Sequence, residues 1–171
     1  MKTNAKYITF LGVVLAFSVA VGYFERMLPP IVPALPGIKL GLPNIAVIVL
    51  MYIKDNKTAF VLNMLRVFIS GILFSGVLGA FYGLVGALFG FFAMALLKKT
   101  NVFGTVGVSA AGGVCHNLGQ ICAGAVLIGS FQLFYYFPVL IIFGSSAGAV
   151  TGYLAGLLIY RLGKINLGGK Q

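Results

Sequence analysis

The chain has 171 residues, of which 60% are hydrophobic and only 8% charged, and its formal net charge is +10. A soluble domain of this length needs far more polar surface, so the composition excludes a soluble globular protein. Apolar runs recur along the chain without alternating polar residues, which indicates transmembrane helices rather than a transmembrane barrel. The sequence therefore predicts an all-α integral membrane bundle, with residues 1–171 forming a single transmembrane domain.

The predicted elements are six helical spans, most of them near the roughly 17–25 residues that a helix needs to cross the hydrocarbon core. The second span is short for a full crossing. The segment before it, Pro29–Leu42, contains four prolines and two glycines, so we expect a re-entrant or irregular outer element between the first two helices. In chain order the spans cover residues 7–28, 41–53, 58–75, 77–97, 103–128 and 135–160.

The positive charges indicate the orientation in the membrane. With six crossings, nine of the twelve Lys and Arg residues fall on one side, and two connections on the opposite side, 75–77 and 129–134, carry no charge. Because short cytoplasmic loops are enriched in Lys and Arg, we expect a protein of the bacterial inner membrane with both termini in the cytoplasm. This topology explains most of the net charge without a nucleic-acid partner. The nine residues are Lys2, Lys6, Lys54, Lys57, Lys98, Lys99, Arg161, Lys164 and Lys170.

Two other features have simple interpretations. The residues Ser18-Val19-Ala20 could mimic a signal-peptidase site, but removal of the first span would break the charge parity of the remaining spans. Cys115 and Cys122 are seven residues apart in one span, too distant for a disulfide with each other and too few for a metal site. We expect them to be small buried hydrophobic residues, and we expect no metal or cofactor.

Small residues recur at four-residue spacing in the first and last spans. Such faces allow helices to approach closely in a membrane. In the last span, packing within the bundle is the simplest expectation; its small residues are Gly144, Gly148, Gly152 and Gly156. In the first span, packing within the bundle and docking on a partner protein both stay open; its small residues are Gly12, Ala16 and Ala20.

Polar residues within the spans predict a ligand cavity. Arg66 lies near the middle of the third span, where a cation costs at least about 2.5–3.5 kcal/mol, so it should face a polar interior. Asn63 shares its helical face. In the fifth span His116 and Gln120 form an equivalent pair with Asn117 beside them, although His116 could instead be a neutral packing residue. Two polar faces at similar depth predict a lined cavity.

The predicted outer end carries more polar residues. Glu25 and Arg26 end the first span, and Lys39 and Asn44 flank the Pro/Gly-rich element. Because Glu25 can neutralise only one of the cations, we expect an anionic ligand, for which arginine offers bidentate recognition. Two alternatives stay open: Arg26 and Lys39 could extend to the lipid headgroups, and Arg66 could pair with Glu25 as a structural clamp.

Three blocks of sequence carry a family resemblance. They are Pro36-Gly-Ile-Lys-Leu-Gly-Leu-Pro-Asn44, Arg66-Val-Phe-Ile-Ser-Gly71 and Gly112-Gly-Val-Cys-His-Asn-Leu-Gly-Gln120. Together they resemble the signature blocks of the Gx transporter family, whose members often carry the label heptaprenyl diphosphate synthase component I. The resemblance covers essentially the whole chain, although Pro43 stands where a small residue is expected.

That family is similar in turn to the substrate-binding S components of energy-coupling factor (ECF) importers. This resemblance implies an S-component-like bundle of six helices with cytoplasmic termini and an outward-facing ligand site. It also implies a docking motif, Ala-x-x-x-Ala, which Ala16 and Ala20 match. The implied partners are a transmembrane coupling subunit and two ATPase subunits. The chain has no phosphate-binding loop, so ATP hydrolysis would belong to such a partner.

The synthase label does not fit the chemistry of this chain. Prenyl synthases need clustered aspartates to hold magnesium, whereas the chain has one Asp and one Glu, so we expect no enzyme activity. We expect a membrane-embedded subunit that captures an anionic or amphipathic small molecule, vitamin-like or a quinone or isoprenoid precursor, from the outer face. The alternatives are a non-catalytic accessory subunit of isoprenoid or quinone metabolism and, less favoured, an autonomous proton-coupled carrier. The predicted site comprises Glu25, Arg26, Lys39, Asn44, Asn63, Arg66, His116, Asn117 and Gln120.

Overall fold

The structure is a computed structural model that describes residues 5–28 and 40–168. These residues form helices without any strand, which confirms the all-α prediction. Most of the Pro/Gly-rich segment, including Lys39, lies outside the described residues, so its predicted irregular conformation stays a prediction. The elements are α1 (Ala5–Met27), α2 (Asn44–Ile53), α3 (Asn56–Thr100), α4 (Thr105–Ile128), a 3₁₀ helix (Phe131–Tyr136) and α5 (Phe137–Gly168).

Four helices of the described part are long and apolar enough to cross a membrane: α1, α3, α4 and α5 with the 3₁₀ helix before it. The protein is therefore a multi-pass membrane protein. Helix α2 has 10 residues, which extend over about 15 Å, half the thickness of the hydrocarbon core. The predicted count of six spans is not confirmed.

Helix α3 reverses direction at Gly76, where the sequence predicted a connection between spans. Gly76 has a φ of 71°, a left-handed conformation that glycine adopts easily. A Cβ placed on Gly83 would stand 3.1 Å from Val67 Cγ1, and the rings of Phe60 and Phe91 are 5.1 Å apart. These contacts require two antiparallel arms, which we call the first arm (residues 56–75) and the second arm (residues 77–100).

Close backbone contact joins α4 and α5 along the glycine face of α5. A Cβ on Gly148 would stand 2.5 Å from the carbonyl oxygen of Ser109, and one on Gly152 would stand 2.6 Å from that of Thr105. The hydroxyl groups of Ser109 and Thr151 are hydrogen-bonded at 3.1 Å in the same interface. Packing within the bundle, the simplest expectation for these glycines, is what the structure has.

Helix α1 differs from α5 in how it is attached to the bundle, because the two residues that it buries, Ser18 and Glu25, are polar. Polar contacts hold its two ends. At the N-terminal end the Tyr7 hydroxyl lies 2.9 Å from that of Thr58, and at the other end Arg26 donates a hydrogen bond to Ser75. The apolar core lies between α2, the two arms of α3, α4 and α5, and Leu11, Val14 and Leu15 of α1 pack against it; its buried members include Val47, Ile48, Met51, Leu62, Phe91, Met94, Val108 and Ala155.

Several of the nine Lys and Arg residues that the sequence predicts on one side of the membrane lie at one end of this bundle. Lys54 sits over the Tyr7 ring at 5.7 Å, and Lys98 donates a hydrogen bond to Asn56 at 3.1 Å. Arg26 and Ser75 lie at the opposite end, and Arg26 is about 28 Å from Tyr7 along α1. The cytoplasmic location of the lysine-rich end stays a prediction.

Candidate functional site

Arg66 lies on the first arm of α3 and retains hydrogen-bonding capacity. Its Nη2 donates a hydrogen bond of 2.8 Å to Asn63 Oδ1, one helical turn earlier, as the shared face predicts. Its Nε is buried and has no hydrogen-bond partner in the described part of the chain. A buried, unpaired donor is unfavourable by roughly 1–3 kcal/mol, so this edge of the guanidinium favours an acceptor group from a ligand.

His116 and Gln120 on α4 face the second arm of α3. A Cβ on Gly86 would stand 2.8 Å from Gln120 Cγ and 3.0 Å from His116 Nε2, so the glycine leaves the space that these two polar side chains occupy. Arg66 is close enough to His116 for an electrostatic interaction between them. The polar faces predicted on the third and fifth spans therefore come together around Arg66 and His116.

Asn117 points to a different interface. Its Nδ2 donates a hydrogen bond of 2.8 Å to the carbonyl oxygen of Leu140 on α5, and the side chain lies against Gly144. The amide therefore links α4 to α5, and this placement gives no support to the predicted role in orienting a ligand beside Arg66.

Glu25 holds the backbone that leads into α2. Its two carboxylate oxygens accept hydrogen bonds from the backbone N–H groups of Gly41, at 2.6 Å, and Leu42, at 3.1 Å. Glu25 interacts electrostatically with Arg66 and Arg26, but among the described residues it forms no direct ion pair with either. The direct Arg66–Glu25 clamp that the sequence left open is therefore absent from the described contacts.

Arg26 and Asn44, two further predicted site residues of the outer end, make different contacts from each other. Arg26 Nη1 donates a hydrogen bond of 2.5 Å to Ser75 Oγ, and its guanidinium lies 5.5 Å from the centre of the Phe74 ring. These contacts tie the end of α1 to the turn of α3. Asn44 begins α2, and its backbone N–H donates to the Gly41 carbonyl at 2.8 Å.

An apolar groove of about 540 Å³ lies between α1 and the first arm of α3. Ala16 and Ala20, the predicted docking residues, are exposed in it. A Cβ on Gly12 would meet no atom within 4 Å, so the small-residue face of α1 is open among the described residues. The groove is lined by Gly12, Leu15, Ala16, Val19, Ala20 and Tyr23 of α1 and by Ile69 and Phe74 of the first arm.

Sequence reasoning missed the backbone N–H groups of Gly41 and Leu42, which are the partners of Glu25. Gly41 has a φ of 74°, and its position as the first residue of the predicted second span was the available signal of a special turn. Within the described residues, no group of three or more His, Cys, Asp and Glu side chains could hold a metal ion.

The family assignment follows from the sequence match along the bundle. Residues 14–158 match the sequence profile of a family described as heptaprenyl diphosphate synthase component I. No curated protein and no solved structure matches the chain significantly. The matched range includes Ala16, Arg66 and His116 and therefore extends from α1 to α5. Since it covers most of the chain, this protein belongs to the heptaprenyl diphosphate synthase component I family, the Gx transporter family.

Proposed function

We propose that this chain is the membrane-embedded substrate-binding subunit of an ECF-type importer. It captures an anionic or amphipathic small molecule, vitamin-like or a quinone or isoprenoid precursor, from the outer face of the bacterial inner membrane. A separate coupling subunit and two ATPase subunits supply the energy. The chain itself is not an enzyme, and its termini lie in the cytoplasm.

The observation that carries this proposal is the buried Nε of the Arg66 guanidinium. A cation within the membrane is retained where it serves a function or has a partner, and here the Nε has no partner in the described part. An incoming carboxylate or phosphate would supply both the opposite charge and the missing acceptor. We expect His116 and Gln120 to contact the rest of such a ligand.

The open face of α1 supports the second half of the proposal, the docking on a coupling subunit. Ala16 and Ala20 are exposed in an apolar groove, and small residues allow a partner helix to approach closely in the membrane. The glycine face of α5 is already occupied by α4, so α1 offers the small-residue face that a partner can reach.

The test is to purify the protein in detergent and identify the small molecules that co-purify by mass spectrometry. Arg66→Gln removes the cation and retains a polar side chain of similar length. We expect a molecule with a carboxylate or phosphate group in the wild type and its loss from the Arg66→Gln variant. Asp55→Asn, which changes a charge at the far end of the bundle, is the matched control and should retain the molecule.

Two results would contradict the importer proposal. One is the recovery of membrane lipids alone from both samples. The other is a co-purifying anion whose amount is the same in the wild type and in Arg66→Gln.

A second candidate function is a non-catalytic accessory subunit that holds a prenyl substrate for a soluble enzyme. Two observations favour it: the family's description names a component of a prenyl diphosphate synthase, and the groove along α1 is apolar and open to the side. A prenyl diphosphate that co-purifies independently of Arg66, and is lost when Ala16 and Ala20 are replaced by leucine, would support this function over the importer.

A further inference from the structure

We propose that the 3₁₀ helix between α4 and α5 is an interfacial anchor, which holds the end of the bundle opposite the lysines at the surface of the bilayer. The partner is the uncharged boundary between lipid headgroups and acyl chains, and exposed aromatic side chains make the contact. This inference does not depend on whether Arg66 binds a ligand. It rests on the exposure, the attachment and the depth of the 3₁₀ helix.

The 3₁₀ helix exposes large aromatic side chains. Phe131 is 83% exposed, Tyr135 is 85% exposed and Tyr136 is 55% exposed. Exposed apolar side chains continue into the adjoining turns of both helices, at Ile128 of α4 and Ile142 of α5. Because contact of such side chains with water is unfavourable, the aromatic surface is best placed where the lipid-facing side of the bundle continues.

The 3₁₀ helix is fixed to the bundle by its inward side. A Cβ on Gly124 of α4 would stand 3.0 Å from Leu133 Cδ1, so Leu133 packs where the glycine leaves room. The backbone N–H of Ser130 donates to the Ala125 carbonyl oxygen at 3.1 Å, and Ser130 Oγ accepts a hydrogen bond from the Gln132 backbone at 3.3 Å. These contacts hold the backbone, so the exposed rings keep their outward direction.

The length of α4 places the 3₁₀ helix at the membrane surface. Lys98 and Lys99 lie in the last turn of α3, and α4 begins shortly after them, at Thr105. Helix α4 has 24 residues and therefore extends over about 36 Å, slightly more than the roughly 30 Å of the hydrocarbon core. The 3₁₀ helix thus follows just beyond the opposite boundary of the core, where tyrosine, with its apolar ring and polar hydroxyl, is enriched.

The surface of the 3₁₀ helix has no charge with which to attract a partner. The sequence contains no Lys, Arg, Asp or Glu between Lys99 and Arg161. The open groove of about 570 Å³ beside the 3₁₀ helix is lined by the hydroxyl of Ser130 and the amide of Gln132 as well as by aromatic rings. This mixture of polar and apolar groups fits the boundary between headgroups and acyl chains, and the contact should be insensitive to salt and to lipid charge.

The experiment uses single tryptophans as depth probes, because the full-length chain contains no tryptophan. Tyr135→Trp probes the 3₁₀ helix, and Val150→Trp, at an exposed position near the middle of α5, is the matched probe of the hydrocarbon core. Each variant is reconstituted into phosphatidylcholine vesicles whose acyl chains are brominated near the headgroup or near the bilayer centre. Soluble N-acetyltryptophanamide gives the reference for quenching by aqueous iodide.

We expect bromine near the headgroup to quench Tyr135→Trp more than bromine at the bilayer centre, with the reverse order for Val150→Trp. Iodide should quench Tyr135→Trp less than it quenches N-acetyltryptophanamide. These results should persist at high salt and when phosphatidylglycerol replaces part of the phosphatidylcholine. If Tyr135→Trp does not fold, Phe131→Trp places the same probe on a neighbouring exposed position and carries the same expectation.

A second measurement tests whether the aromatic side chains cause the anchoring. Ile128→Trp, at the exposed end of α4, reports the depth of that end while Phe131 and Tyr135 are both replaced by serine. Its quenching by bromine near the headgroup should fall and its quenching by iodide should rise. The control is Tyr153→Ser, which removes an exposed tyrosine farther along α5 and should leave both values unchanged.

Four outcomes would overturn the anchor. One is iodide quenching of Tyr135→Trp as strong as that of N-acetyltryptophanamide, which would place the 3₁₀ helix in water. Another is stronger quenching from the bilayer centre than from the headgroup side. The third is protection from both bromine and iodide, in the protein alone or with a coexpressed coupling subunit, which would assign this surface to a protein partner. The last is an unchanged Ile128→Trp signal after the two serine replacements.

Discussion

Helices α1 and α5 share one sequence feature, small residues at four-residue spacing, and use it in opposite ways. On α5, a Cβ on Gly148 would stand 2.5 Å from the Ser109 carbonyl oxygen, so the backbones of α4 and α5 are in contact. On α1, a Cβ on Gly12 would meet nothing within 4 Å, and Ala16 and Ala20 are exposed. The spacing shows that a helix can approach another closely, and the neighbouring helices decide whether it does.

The two helices also differ in where they are held. Helix α5 contacts α4 along its length, whereas one face of α1 packs on the core through Leu11, Val14 and Leu15 and polar groups fasten its two ends. Tyr7 pairs with Thr58 at one end, and Glu25 and Arg26 bind Gly41, Leu42 and Ser75 at the other. The middle of α1 therefore leaves its small-residue face open beside the groove.

The largest expected effect comes from adding one methyl group to the small-residue face of α5 and, for comparison, one to that of α1. Gly148→Ala places a Cβ within 2.5 Å of the Ser109 carbonyl oxygen, so α4 and α5 must separate and the bundle should lose about 1–3 kcal/mol or more of stability. Gly12→Ala meets open space and should leave stability unchanged or raise it by up to about 1 kcal/mol, because alanine favours helix over glycine. Thermal unfolding in detergent compares the two variants. Equal unfolding midpoints would remove the distinction between the faces.

The second prediction concerns the open face of α1. Replacing both Ala16 and Ala20 by leucine fills the groove without a clash inside the bundle, so stability should change by less than about 0.5 kcal/mol. Association with a coupling subunit should weaken at least about tenfold, since a partner helix can no longer approach closely.

The matched control for this pair is Val13→Leu with Phe17→Leu. Both side chains are exposed on α1 and neither lines the groove. Co-purification with a coexpressed coupling subunit measures the difference. Undiminished co-purification of the Ala16 and Ala20 variant would show that this face is not the docking surface.

The contrast between α1 and α5 explains what the sequence could predict. The helical class, the reversal at Gly76 and the meeting of Arg66 with His116 follow from apolar runs, glycine and polar spacing. Which face of α1 is buried does not follow, because lipid-facing and core-facing residues are both apolar in a membrane protein and the polar–apolar periodicity of a soluble helix is lost.

The sequence also could not identify the hydrogen-bond partners of two predicted site residues, Glu25 and Asn117. Glu25 binds the backbone N–H groups of Gly41 and Leu42, and every residue except proline carries such a group, so residue types do not identify them. Asn117 was grouped with His116 because they are adjacent in sequence. On a helix, neighbouring residues face about 100° apart, and Asn117 consequently contacts α5 instead.

The smallest expected effect tests how the N-terminal end of α1 is fastened. Asp55 caps α3: its carboxylate accepts hydrogen bonds from Thr58 N, at 2.7 Å, and Thr58 Oγ1, at 2.9 Å, and the same hydroxyl pairs with Tyr7 of α1. The hydrogen bond from the Thr58 backbone is the main cause of the lowered pKa of Asp55. Asp55→Ala should reduce stability by about 0.5–2 kcal/mol, because it removes the cap.

The pH dependence of this effect has a definite sign. Because the folded state lowers the Asp55 pKa, its contribution is fully present above the unfolded-state value of about 4 and is lost as the pH falls through the folded-state pKa. Asp55→Asn retains one capping oxygen and loses the charge, so it should be less stable than the wild type at neutral pH, approach it in acid, and therefore show a shallower acid dependence. Unfolding midpoints between neutral pH and about pH 3 measure this. If Asp55→Asn and the wild type lose stability equally in acid, the Asp55 carboxylate is not the source of the acid dependence.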